Sequence, residues 1–220
     1  MNEVFITQSL KDKLPNLTLG YIACDVVFEL QNRALWKEIE AVSVALENSS
    51  HLSDISSHPA IYASRLAYRA CGKDPSRYRL SSEALMRRVV KGNRLFRINN
   101  VVDVVNLISL KTGMSIGGYD MEKISGNIYF DIGGKDEPYE AIGRGDLNVD
   151  YLPLFRDSVS PFGSPTSDSV RTSVTLNTKR FLMIIIGFSG KESTQETIDI
   201  SLPLLEKYCL AKNSETRLIR

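Results

Sequence analysis

The segment INNVVDVVNL, residues 98–107, constrains the fold more than any other stretch of the chain. Val101, Val102, Val104, Val105 and Leu107 make it as apolar as a protein core, yet Asn99, Asn100, Asp103 and Asn106 recur at spacings of three and four. On a helix Asn99, Asp103 and Asn106 share one face, with Asn100 on its shoulder. Apolar flanks border this stripe, so it meets protein rather than open water. Asn and Asp are poor helix-interior residues because their side chains compete for nearby backbone hydrogen bonds. Buried without partners, each would cost about 1–3 kcal/mol. Either the stripe binds loop backbone and holds the fold together, or one end of it lines a pocket and reads a polar ligand. Both readings require an inward-facing helix from about Asn99 to Thr112, with Gly113 as its stop.

The remaining pattern alternates between two periods. VFIT (4–7) and LTLGYIACDVVF (17–28) are rich in β-branched residues and predict strands. From the cap residue Asn32, the positions Leu35, Trp36, Ile39, Val42 and Leu46 follow helical spacing. A second helix is predicted from Pro59, suited to a first helical position, to Cys71, with Ile61, Tyr62 and Leu66 towards a core and Gly72 as its stop. Ser81 or Ser82 would cap the next helix, in which Glu83 suits the positive end of the helix dipole. Leu85, Val89 and Val90 would be its buried side, Arg87 and Arg88 its wetter one. GNIYFDIG (126–133) reads as a strand, and FLMIIIGF (181–188) as a central buried one. The C-terminal helix is expected to hold Pro203 in its first turn. The connections are too short and apolar for linkers. The expectation is a single α+β domain over 1–220, mixed or antiparallel sheets packed with helices, with a strand–helix extension over 1–57 packed on it.

A net charge of +1 hides an asymmetry. Ten basic residues fall between Arg65 and Arg97 against Asp74 and Glu83, whereas eight acids fall between Asp120 and Asp150 against three bases. Such a basic segment either faces a polyanion or pairs with the acidic segment of its own chain. For the first reading, Arg77, Arg79, Arg87, Arg88, Lys91 and Arg94 are the candidate RNA-binding residues, with Tyr78 and Phe96 among them to stack on unpaired bases. Cys24, Cys71 and Cys209 are odd in number and far apart, which points to reduced thiols in a cytoplasm. No run is long enough for a membrane span, and the N-terminus lacks a secretion signal.

RINNVVDVVNLISLKTGMSIGGYDMEKI (97–124) resembles the B3/B4 module of the bacterial phenylalanyl-tRNA synthetase β subunit, where R-P-I-N-N-V-V-D-V-T-N precedes the histidine of G-Q-P-x-H-A-F-D by eleven residues. PSRYRLSSEALMRRVVKG and SPFGSPTSDSVRT are similar to free-standing B3/B4-domain proteins, a resemblance that covers most of the chain. In the synthetase this module is the editing domain, which hydrolyses tyrosine wrongly esterified to phenylalanine tRNA. The resemblance implies a pocket from a Thr-Asn pair ending the helix, a His-Ala pair, and a glutamate in a later glycine-rich loop. Here the asparagine is kept as Asn106, but Val105 stands for the threonine and Gly117 and Gly118 for His-Ala. The glutamate has no clear match, Asp168 being the nearest carboxylate, while the aromatic-Asp pair survives as Tyr119 and Asp120. Tyrosyl-tRNA specificity therefore does not carry over. Gly117 and Gly118 would widen the pocket and expose backbone N–H groups, or simply form a turn.

The loop SPFGSPTSDSVRT (160–172) could bind a ligand carboxylate or phosphate through Arg171, or cap its own backbone. The expected pocket thus comprises Asn100, Asp103, Asn106, Gly117, Gly118, Tyr119, Ser164, Thr166, Ser169 and Arg171, with Asn106 and Asp168 the catalytic candidates. His51 and His58 both lie in the N-terminal quarter and no G-x-S-x-G occurs, which argues against a hydrolytic triad. No metal-ligand spacing, phosphate loop or dinucleotide fingerprint is found, so neither a metal nor a cofactor is expected. Aminoacylation motifs are missing, so this is not a complete synthetase. The expectation is a tRNA-binding, editing-like protein, an ester hydrolase acting on the acceptor end of mischarged tRNA. The alternative is a non-catalytic module for RNA or a free amino acid. Neither reading involves DNA or a membrane.

Overall fold

The apolar run after Lys179 has to be buried on both sides, and in the computed structural model, which describes residues 2–220, it is. Along the chain the elements are β1 (Val4–Ile6), α1 (Gln8–Lys13), β2 (Thr18–Asp25), α2 (Arg33–Ser49), α3 (Pro59–Cys71), α4 (Ser81–Val90) and α5 (Asn100–Thr112). They continue as β3 (Ser115–Asp120), β4 (Ile128–Ile132), β5 (Glu140–Ala141), β6 (Gly145–Asp146), β7 (Pro153–Arg156), β8 (Pro161–Gly163), β9 (Arg180–Gly187), α6 (Lys191–Cys209) and β10 (Lys212–Ile219). β9 lies inside an antiparallel sheet of order β10-β2-β9-β3. Its odd residues Phe181, Met183 and Ile185 pack with α2, α5 and α6, while Leu182, Ile184 and Ile186 pack with a second sheet. Both faces are covered, so the strand reads as one apolar run rather than an alternation.

The second sheet, β1-β4-β7-β8, is mixed: β1 runs parallel to β4 and the other pairs are antiparallel. Its Ile128, Phe130, Phe155 and Phe162 meet the even face of β9, giving three layers of helices, sheet and sheet. A third cluster, including Ile61, Tyr68, Met86 and Leu152, joins α3 and α4 to the loops around β5 and β7. The α+β class is therefore as expected, with β1 and β2 as members of the two sheets. Among the described residues no helix is long and apolar enough to cross a membrane.

Local chemistry sets most helix ends. Asn32 caps α2 by accepting from Leu35 N–H, and Asn99 caps α5 by accepting from Val102 N–H. Gly72 and Gly113 take the left-handed conformation that closes α3 and α5. Several expectations fail. Ile61 is buried, but Tyr62 and Leu66 face solvent, because the inner side of α3 is carried by Ala60, Ser64, Ala67 and Tyr68. Neither Ser81 nor Ser82 caps α4; Leu80 takes that position, and the buried Ser82 hydroxyl meets that of Ser115. Pro203 lies deep inside α6, not in its first turn. The carbonyl it leaves without a helical donor is that of Asp199, an exposed residue that solvent can satisfy. All three cysteines are buried free thiols.

Candidate functional site

The polar stripe of α5 divides in two. Asn100 is buried and fully used: its Oδ1 accepts from Glu29 N–H, and its Nδ2 donates to the carbonyls of Val27 and Tyr208, each at 2.8 Å. Asp103 accepts from Trp36 Nε1 at 2.7 Å and from Ile98 N–H at 3.1 Å. Burial raises its carboxyl above the ordinary range, against the pull of these donors. Both residues hold the fold, tying α5 to α2 and to the chain segments around it. Asn106, two turns from the cap, is half-buried and its amide has no partner among the described residues. It opens onto a cavity of about 850 Å³.

That cavity is walled by apolar side chains, among them Leu85, Val102, Val105, Ile116 and Phe181. Among the polar groups that reach it are Asn106 on α5, Gly118 on β3, and Thr166, Ser167 and Asp168 on the loop after β8. The loop is held from behind. Tyr68 and Thr166 share a 2.8 Å hydroxyl contact, Tyr139 Oη donates to the Ser167 carbonyl at 2.7 Å, and Ser164 Oγ donates to the same carbonyl at 2.8 Å. Ser169 accepts from Arg171 N–H and so starts a short turn of helix.

Asp168 is the chemical centre of this arrangement. Its Oδ1 accepts from Tyr119 Oη at 2.8 Å and its Oδ2 from Gly118 N–H at 3.3 Å. No cation pairs with it among the described residues. Burial pushes the carboxyl up to about 7, against the smaller downward pulls of the Tyr119 hydroxyl and the Gly118 N–H. The Tyr119 phenol is itself held well above its usual range by burial and by the Asp168 charge, so it remains a donor. Gly117 and Gly163 explain how a full tyrosine fits here. A Cβ added at either residue would overlap the Tyr119 hydroxyl. The two glycines form the slot through which the phenol reaches Asp168.

The expected pocket residues therefore separate. Asn106, Gly118, Thr166 and Asp168 line one cavity, and Val105 lines it too. Tyr119 and Gly117 stand behind Asp168, Ser164 and Ser169 shape its loop, and Asn100 and Asp103 lie outside the lining. Arg171 is not at the pocket either: its guanidinium pairs with the buried Asp157 at 2.9 Å and donates to the Lys123 and Ser160 carbonyls. A loop hydroxyl or arginine next to such a site in sequence is as easily consumed by local backbone. Gly118 does not leave its N–H free, since Asp168 takes it, and Gly117 widens nothing because Tyr119 fills the space.

The basic segment separates as well. Arg65, Arg79 and Arg87 converge on buried Glu83 at 3.0, 3.8 and 2.8 Å. Lys73 enters the acidic segment and donates to the Asn148 and Asp150 carbonyls, under the ring of Tyr78. Arg77, Lys91 and Arg94 remain exposed. Arg88 lines the cavity, its guanidinium 4.2 Å from the ring centroid of Phe96, a lining residue that is 68% exposed. Arg144 lines the cavity from the turn between β5 and β6 and was not anticipated. Its one signal was the pair of glycines, Gly143 and Gly145, on either side of it.

A model of the B3/4 domain matches residues 63–203, which include α4, α5, β3, the loop of Asp168 and β9. The chain belongs to this family. The structure of this B3/4 protein is similar to an N-terminal fragment of the phenylalanyl-tRNA synthetase β-subunit from Pyrococcus horikoshii, with a TM-score of 0.52 and 15% identity. The match covers 99% of this chain and 51% of that one, so the chain spans about half the fragment's length. At that identity the likeness is one of fold. No curated protein matches the chain by sequence.

Proposed function

We propose that this B3/4 domain hydrolyses the ester of a mischarged aminoacyl-tRNA, with the acyl group in the cavity and the RNA end at its rim. The observation that carries this reading is the convergence of Val105, Asn106, Gly118 and Asp168 on one cavity. Val105, Asn106 and Gly118 stand at positions carried over from the editing pocket of the synthetase module, and Asp168, the carboxylate nearest to its unmatched glutamate, joins them from 50 residues beyond Gly118. Ester hydrolysis asks for little more than a placed water, a proton acceptor and a donor for the developing oxyanion. Asp168, titrating near neutrality, suits the acceptor: it withdraws a proton from water as the water oxygen bonds to the carbonyl carbon. The bond to the ribose oxygen then breaks, and that oxygen takes the proton. Asn106 supplies the unengaged amide for the acyl carbonyl. Apolar walls suit an uncharged side chain, and Phe96 offers a face for the terminal base.

The test is deacylation of a panel of correctly and wrongly charged tRNAs, with the Asn106→Ala and Asp168→Asn variants alongside. Rapid loss of one mischarged species is expected, slowed about 10²–10⁴-fold in kcat by Asp168→Asn. A second reading, a non-catalytic binding module, draws on the two hydrogen bonds that already occupy the Asp168 oxygens. It would be adopted if the panel stays intact while tRNA binds and Asn106→Ala lowers affinity alone.

A further inference from the structure

Three side chains that can carry charge line the cavity: Asp168, Arg88 and Arg144. The acid is not neutralised by either arginine, since its oxygens go to Tyr119 and Gly118. Arg88 uses Nε on the Arg94 carbonyl at 2.7 Å and rests on Phe96, which leaves its terminal N–H groups without a protein acceptor among the described residues. The Arg144 side chain makes no hydrogen bond or ion pair among the described residues, and Asp146 on the same hairpin does not engage it. Contrast Arg65, Arg87, Arg156, Arg171 and Arg180, all of which are paired with carboxylates.

The placement of Arg144 follows from the loop behind it. Ile142 N–H donates to the Asp168 carbonyl at 2.9 Å, and Ala141 bridges Ser169. The stem of the β5–β6 hairpin is therefore pinned to the residue that carries the acid. Its tip, with Gly143 and Gly145 both at positive φ and nothing near the space of a Cβ, stands free beside the opening. Arg88 comes from α4, a different element. Two unpaired guanidiniums thus edge one cavity whose other lining is mostly apolar, and a planar fork of donors favours an oxyanion.

We infer that Arg88 and Arg144 form an oxyanion-binding rim, which takes one phosphodiester or carboxylate of whatever occupies the cavity. This deepens the reading above, on which the anion is the phosphodiester of the last nucleotide, but the rim is testable without turnover. If the ligand is instead a free amino acid, the anion is its carboxylate.

The experiment uses the full chain labelled with ¹⁵N and follows arginine Nε–Hε signals, assigned with Arg88→Gln and Arg144→Gln. The probes are inorganic phosphate, adenosine monophosphate against adenosine, and phenylalanine against its amide. A saturable shift with adenosine monophosphate and not adenosine, weakened at least fivefold by Arg144→Gln and less by Arg144→Lys, supports the rim with a nucleotide phosphate as the source. The same pattern for phenylalanine against the amide supports a carboxylate source. Shifts that do not saturate, or that Arg144→Gln leaves unchanged, overturn the proposal. In the deacylation assay Arg144→Gln should raise KM about tenfold and leave kcat within twofold. Turnover without that KM effect or the shifts sinks the rim alone; shifts without turnover sink the hydrolase reading alone.

Discussion

Glu83 and Asp168 are both carboxylates inside this protein, and their surroundings differ in one respect. Glu83, whose side chain is 1% exposed, sits among three guanidiniums from α3, α4 and the loop before it. Asp168 has a phenol and a backbone N–H and, among the described residues, no cation. A buried carboxylate met by opposite charges joins the elements that carry them; one compensated by neutral donors alone is left near its titration point. The first is an anchor of the fold, and the second is fit for proton transfer. The basic segment, for which the sequence leaves open a polyanion-facing surface or pairing with the acidic segment, is split by this difference, with part of its charge placed on Glu83 and part left at the cavity.

Breaking the anchor should have the largest effect. Glu83→Gln leaves Arg65, Arg79 and Arg87 without their counter-charge and should cost about 3–5 kcal/mol, read as a lower urea midpoint at constant m-value. An unchanged midpoint would mean that the arginines hydrate freely and that Glu83 anchors nothing.

The acid of the cavity should show itself as a pH effect on stability. Its folded pKa lies above the unfolded carboxylate value, so between about pH 4 and 7 the native state binds more protons than the unfolded one. Stability from this group is therefore lost as pH rises through that window and levels off above it. Because Asp168 reaches the cavity, the loss should be roughly 2–3 kcal/mol, less than the full shift implies. Asp168→Asn should flatten the slope. A variant with the wild-type slope would place the titration elsewhere.

The smallest effect sharpens the comparison most. Tyr119→Phe removes the strongest donor to Asp168, so the acid limb of the pH–rate profile should move up by about one unit, with only about 1 kcal/mol of stability lost. A fall in rate with no movement of that limb would make Tyr119 a packing residue only.

Much of the scaffold was legible because it depends on neighbours in sequence. The span and glycine stop of α5, the span of α3 and the buried character of β9 all appear at the predicted positions, while Asn99, read as part of the stripe, turns out to be the cap. β10 was not legible: KNSETRLI pairs along β2 by backbone hydrogen bonds at a sheet edge, where side chains can stay polar. The start of α6 was misplaced because proline usually marks a first turn, and here an exposed carbonyl tolerates it mid-helix. Within the candidate site, Asn106 and Asp168 could be named from the family resemblance, but Arg144 could not, since nothing in GRGD distinguishes a rim residue from an ordinary turn.

Periodicity and capping were enough to predict an inward-facing α5 carrying four polar residues, because both are properties of a dozen consecutive residues. Which of those four serves the fold and which faces a ligand depended on what lies across from each. Asn100 meets Val27, Glu29 and Tyr208, and Asp103 meets Trp36, whereas Asn106 meets a cavity. Those partners come from segments far apart in the chain. Only the tertiary structure brings them within the short reach of a hydrogen bond, and so only it decides where an unsatisfied polar group is left for chemistry.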